Sequence, residues 1–182
     1  MQAPLRSVIV VMRRVPLVNR WVDEKWELAR VEVDEGRDGD GTPGPVRAER
    51  LAANTWRWSG FTVDLHPSEA EGYWLNLGAP DPRVFVMWRL EEWEGEPCAR
   101  PWVTTLGYHE AARMMDAGET VESVPIPAVL RDWAAPWVEA NYKPEPRRKQ
   151  KRNERFWRGE GGGTGGGRSG PPAAAAPEDS AS

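Results

Sequence analysis

Through the N-terminal two thirds of the chain, apolar and polar positions alternate with the spacing that sends successive side chains to opposite faces of a strand. Residues 5 to 15, LRSVIVVMRRV, hold a continuous apolar run from Val8 to Met12 and predict a first strand. Residues 24 to 33, EKWELARVEV, set Trp26, Leu28, Arg30 and Glu32 against Glu27, Ala29, Val31 and Val33, a second. In TWRWSGFTVDLH, residues 55 to 66, Trp56 and Trp58 share one side and Phe61, Val63 and Leu65 the other, with Gly60 where a bulge or bend can switch faces. EGYWLNLG, RVFVMWRLEEWE and ARPWVTTLGY follow as further strands, separated by HPSEAEG, APDP and GEPC. Six strands joined by short connections predict antiparallel neighbours.

The period then lengthens. HEAARMMDAGE offers Ala111, Ala112, Met114 and Met115, with Gly118 as a stop; IPAVLRDWAAPWVEANY offers Leu130, Trp133, Ala134, Trp137 and Val138 at helical spacing. Pro127 suits the first turn of this second helix, and Pro136 is expected to kink it. The predicted fold is α+β: mainly an antiparallel curled sheet or barrel of about six strands with two C-terminal helices and a disordered C-terminal tail. DEGRDGDGTPGPVR, residues 34 to 47, reads as a long mobile loop. Residues 1 to 142 form the antiparallel β body with its helices, 143 to 158 a basic segment, and 159 to 182 a Gly/Pro/Ala-rich tail with almost nothing to bury against the entropy of ordering.

Composition changes that picture at the surface. Eleven tryptophans are more than a single core of this size conceals completely, and each indole N–H wants a partner. The net charge of −4 hides a segregation: residues 1 to 142 hold 15 Lys and Arg against 23 Asp and Glu, residues 143 to 158 hold 8 against 2. Cys98 is the one cysteine, which excludes an internal disulfide and any Cys-rich zinc or iron–sulfur site. The apolar run of the first strand is too short to span a membrane and lacks a signal-peptide cleavage pattern, so a cytoplasmic protein without membrane association is expected.

Reactive chemistry is sparse. The two histidines, His66 and His109, would have to serve Cys98 or a hydroxyl as base, and a lone Cys before a strand more often packs than attacks. No metal site is expected: the His and Cys spacing lacks zinc geometry, and the acidic loop counted from Asp34 puts Gly36 third and Pro45 twelfth, where calcium needs a carboxylate. GGGTGGG lacks the Lys-Ser/Thr ending of a phosphate loop. No cofactor is expected. Arg147, Arg148, Lys149, Lys151, Arg152 and Arg155 with Phe156 and Trp157 combine charge and stacking rings, as in single-stranded nucleic-acid binding, but the acidic body opposes phosphate at longer range.

Trp21 and Trp26 differ by an odd number of positions and would face opposite sides of one uninterrupted strand, whereas a turn at Val22–Glu24 brings them together. Asn19 and Arg20 add donors and an acceptor on a segment after Pro16, and Trp and Arg are enriched at interface hot spots. VVMRRVPLVNRWVDEKWELARV, LHPSEAEGYWLNLGAPDPRVFVMWRL, VTTLGYHEAARMMDAGETVESVPIP and WVEANYKPEPRRKQKR together resemble an uncharacterised bacterial family, a domain of unknown function, over residues 8 to 152. Genes of that family often lie beside those for formate dehydrogenase and its maturation factors, so the resemblance implies an accessory or assembly role for a molybdenum-containing enzyme. Some relatives carry a label for molybdopterin-guanine dinucleotide synthesis; no Gly-rich strand-to-helix loop between Met1 and Arg30 supports it here.

The expected function is therefore a non-enzymatic accessory protein whose partner, a formate dehydrogenase subunit or maturation factor, docks on Asn19, Arg20, Trp21, Trp26, Asn76 and Trp88. Alternatives are nucleic-acid binding through the basic segment and carriage of a molybdenum-cofactor-related ligand in an aromatic-lined barrel mouth.

Overall fold

The computed structural model describes residues 4–18, 23–37 and 44–143. Within them the chain forms β1 (Leu5–Pro16), β2 (Glu24–Val33), β3 (Arg47–Ala52), β4 (Thr55–Asp64), α1 (Ala70–Leu77), β5 (Arg83–Trp93), β6 (Glu96–Thr105), α2 (Tyr108–Asp116), β7 (Thr120–Pro125) and α3 (Ala128–Asn141). The expected tail, the basic segment, and Asn19, Arg20 and Trp21 lie outside the described residues. The fold is α+β. Its β part is mainly antiparallel, as expected, in two sheets ordered β2-β1-β4-β3 and β6-β5-β7 that do not close into a barrel.

β1 explains its own apolar run. It is flanked by β2 and β4, and every residue from Val8 to Met12 is buried, as suits a central strand covered on both faces. In β4 the register against β1 slips between Val8 and Val10, opposite Ser59 and Gly60. The bulge resets the alternation, so Trp56, Trp58, Phe61, Val63 and Leu65 all end up buried rather than divided between two faces. Gly60 holds φ at +96°, and an added Cβ would meet the carbonyl oxygens of Pro45 at 2.6 Å and Gly44 at 2.9 Å. Only glycine fits there.

β5 and β6 form a hairpin closed by Glu94 and Gly95, both left-handed at φ 52° and 82°, the two-residue turn whose twist matches its strands. EGYWLNLG forms α1, not a strand. Its buried residues Ala70, Gly72, Tyr73 and Asn76 follow helical spacing, while exposed Trp74 and Leu75 disguise that stripe in the sequence. β3 and β7 are additional strands. β3, RAERLA, is a largely exposed edge with no apolar alternation, and β7, TVESVP, carries only Val121 and Val124 as non-proline apolar residues. Both C-terminal helices form as expected; α3 buries Leu130, Ala134 and Val138 in one stripe and keeps Pro136 on its exposed side.

The sheets approach one another at two seams. β3 pairs with β4 only as far as Ser59, so beyond Gly60 the second half of β4 has β1 on one side and faces β6 on the other. There the Thr104 hydroxyl donates to the Thr62 carbonyl at 2.7 Å. At the other seam the amide of Leu28 in β2 donates to Glu122 Oε2 in β7 at 2.5 Å. Side chains close both seams where a barrel would use main-chain ladders.

Candidate interaction surface

Of the residues expected to meet a partner, the described part of the chain contains Trp26, Asn76 and Trp88. Asn76 is 4 % exposed. Its amide nitrogen donates to the carbonyls of Arg83 at 2.7 Å and Leu106 at 2.9 Å, and its oxygen accepts the Arg83 amide at 2.9 Å. It ties α1 to the start of β5 and the end of β6, with no polar face turned outward. Trp88 is half-buried against the core with its indole N–H enclosed, and Trp26 is half-buried against Trp56.

Among the described residues the most exposed indole is that of Trp102 in β6, 43 % exposed. Pro101 has no N–H to give the ladder, and the register between β5 and β6 slips there, from Met87 opposite Val103 to Trp88 opposite Pro101, so Trp102 bulges. The Arg89 guanidinium lies 5.2 Å and that of Arg100 4.9 Å from its ring centroid, and its N–H donates to Glu91 Oε1 at 2.9 Å. Glu91 also accepts from Arg100 at 3.0 Å, and Arg89 pairs with Glu119. One indole is thereby held by two cations over its ring and a carboxylate at its N–H.

The same motif continues along the sheets. Arg100 also lies 5.8 Å from Trp93, which packs edge-on to Trp58 at 5.0 Å. A notch of about 110 Å³ separates Trp93 from Trp56, which packs at a tilt against Trp26, centroids 4.8 Å apart, and is flanked by Arg50 and Arg14. Each guanidinium in the strip has an acidic partner: Arg14 with Glu24 at 3.1 Å, Arg50 with Glu96 at 3.8 Å, Arg100 with Glu91 and Arg89 with Glu119. The strip is aromatic and charge-balanced.

Behind Trp102, the seam between β4 and β6 opens into a cleft of about 330 Å³ lined by Phe61, Thr62, Asp64, His66, Thr104 and Glu110 among others. Tyr73 lies beneath it. Its hydroxyl donates to the Asp64 carbonyl at 3.2 Å, and burial pushes its pKa up to about 12, with Glu110, Glu69 and Asp64 adding to the rise. Cys98 is 1 % exposed, and burial pushes its thiol up to about 11, the opposite of an activated nucleophile. Among the described residues no group of three or more His, Cys, Asp or Glu is placed to hold a metal, and no helix is long and apolar enough to cross a membrane.

Sequence reading missed Trp102 and its clamp, although a signal existed. The Glu94-Gly95 turn fixes the hairpin register and so sets Arg89 opposite Arg100, and a proline within a strand announces the bulge. No curated protein and no solved structure matches the chain. A family model described as "Protein of unknown function (DUF3305)" does match, over residues 7–151, and the chain belongs to that family.

Proposed function

We propose that this protein is a non-enzymatic accessory or assembly factor that acts by protein–protein interaction on a molybdenum-dependent formate dehydrogenase. The observation that carries the interaction reading is Trp102, an exposed indole locked between Arg89 and Arg100 by Glu91 and Glu119. A ring already immobilised loses little entropy on docking, and Trp and Arg dominate interface hot spots. The choice of partner rests on the resemblance to a family encoded beside formate dehydrogenase and its maturation factors.

The charge balance of the strip favours protein over nucleic acid, because guanidiniums already held by carboxylates have less to offer phosphate. The cleft favours neither a nucleotide nor a pterin cofactor: about 330 Å³ is near the lower end of small-molecule sites, and Asp64 and Glu110 repel phosphate. The basic residues 147 to 158 support nucleic-acid binding as a second reading.

Tagged full-length protein, recovered from cells making the dehydrogenase, is expected to bring down a subunit or maturation factor of that enzyme. Trp102→Ala is expected to lower recovery about tenfold, the effect of losing a hot-spot residue, with only a small fall in the unfolding midpoint from the lost ring contacts. Recovery of no dehydrogenase component overturns the proposal. A gel shift whose strength falls steeply with salt and vanishes on removal of residues 147 to 158 establishes the nucleic-acid reading instead.

A further inference from the structure

α1 gives one stripe to the interior and presents the other to solvent. Ala70, Gly72, Tyr73 and Asn76 are buried, whereas Trp74 and Leu75, neighbours on the outer side, are 39 % and 43 % exposed. Tyr142, the residue that ends α3, lies beside Trp74 with ring centroids 5.5 Å apart. Its amide donates to the Val138 carbonyl at 2.9 Å and its hydroxyl to Glu71 Oε1 at 3.3 Å. An indole, an isobutyl group and a phenol ring thus meet at the surface where α1 and α3 come together. Adjoining exposed apolar groups of this size mark interaction sites, and Trp is the residue most enriched where partners dock.

The chain itself indicates the charge of the occupant. Lys143 follows Tyr142 directly and opens residues 143 to 158, with 8 Lys and Arg against 2 Asp and Glu, in a protein whose residues 1 to 142 are net acidic. The family match runs through residue 151, so the first part of this basic run, KPEPRRKQK, belongs to the unit that the family shares. A basic run that starts at the margin of an apolar face draws acidic partners toward it. We propose that the face made by Trp74, Leu75 and Tyr142 docks a segment of a partner protein that carries an apolar side chain next to a run of Asp and Glu. The apolar group seats on the indole and the acids are attracted by the basic run. The proposal rests on the interaction reading and adds the chemistry that the partner must offer, on helices that the Trp102 strip does not use.

Glu71, beside Trp74, favours a peptide over a nucleic acid. Every base stacked on the indole would bring its own phosphate close to that carboxylate, whereas a peptide can place a neutral side chain there and keep its acids several residues away.

The test follows the Trp74 indole and Leu75 amide resonances of the full-length protein by two-dimensional NMR during titration with the acetylated and amidated peptide Leu-Phe-Ser-Glu-Asp-Glu-Asp-Glu. Saturable shifts of both are expected. A peptide with Ala-Ala in place of Leu-Phe, and another with Gln and Asn in place of the acids, should each bind about tenfold more weakly. Leu75→Gln, a change at an exposed position, should weaken the acidic peptide by a similar factor, and replacing Arg147, Arg148 and Lys149 with Gln should flatten the salt dependence of its binding. Absence of saturable shifts in the wild-type protein overturns the site, as does unchanged binding by Leu75→Gln. Equal affinity for the neutral peptide overturns the acidic partner, and equal affinity for the Ala-Ala peptide overturns the apolar seat. Oligothymidylate that moves the Trp74 indole at lower concentration than the peptide gives the face to nucleic acid instead. Trp102→Ala should leave the peptide titration unchanged; because the probes contain no dehydrogenase, failure of the recovery experiment leaves this face standing, and the reverse also holds.

Discussion

At the β2/β7 seam Glu122 commits its carboxylate to the amide of Leu28 at 2.5 Å; at the β4/β6 seam Thr104 places a neutral hydroxyl on the carbonyl of Thr62 at 2.7 Å, and a cleft of about 330 Å³ stays open beside it. Both are edges of sheets that did not close into a barrel. The difference lies in which group each edge turned to its neighbour. An exposed amide takes an acid as its acceptor, whereas an exposed carbonyl takes a hydroxyl; nearby, Glu110 accepts only the Thr105 hydroxyl. Edge polarity thus gives a charge-assisted contact at one seam and a neutral one at the other.

The division originates at Gly60, where β4 leaves β3 and turns its second half toward β6. Gly60→Ala should have the largest effect on the comparison. A Cβ within 2.6 Å of a backbone oxygen and a positive φ both act against it, and a loss of about 3 kcal/mol or more is expected from urea unfolding. Gly95→Asn, at φ +82° with open space around it, should cost less than about 1 kcal/mol because asparagine tolerates that region. Similar costs for the two variants would mean that the bulge does not divide the strand.

Truncating the seam bridges gives intermediate effects. Glu122→Ala removes a charge-assisted bond and should cost about 2 kcal/mol, while Thr104→Val removes a neutral one at nearly constant volume and should cost about 1 kcal/mol. Unfolding midpoints at constant slope measure both. If Thr104→Val proves the more damaging, the β4/β6 seam holds the sheets together more firmly than the β2/β7 seam.

These seams could be anticipated only in part. Strands whose apolar residues alternate, β1, β2, β4, β5 and β6, were legible because each buries a face, and so were α2 and α3. The tryptophans of β4 were legible as a pattern, but whether Gly60 switches their face depends on its partner across the ladder. β3 and β7 were hidden because an edge strand carries little apolar signal, and α1 because Trp74 and Leu75 point outward. Trp26 and Trp88 were named for chemistry that suits interior and surface equally, and Asn76 for a polarity that is wholly consumed inside. Trp102 and the β4/β6 seam gain their meaning from neighbours distant in sequence, Glu119 for Arg89 and Thr104 for Thr62, which no local spacing encodes.

The smallest effect sharpens the contrast by pH. Hydrogen bonding from Arg89 holds the Glu119 carboxyl below the usual glutamate range, with burial opposing, and Arg13 does the same for Glu27 on β2. A carboxyl with a folded-state pKa below its unfolded one contributes stability that is complete above the unfolded value, about 4.3 for Glu, and is lost as pH falls through the folded value. The Trp102 indole resonance should therefore hold steady from neutral pH to about pH 5 and begin to move only in more acidic solution, as Arg89 is released. Because Glu91 also anchors the indole, Glu119→Gln isolates this contribution: it should displace the resonance at neutral pH in the direction that acid does. Glu27→Gln, beside the β2/β7 seam, should leave the resonance in place. A Trp102 signal indifferent to Glu119→Gln would show that Arg89 contributes nothing to the clamp, and Glu91 with Arg100 would then hold the wall of the cleft alone.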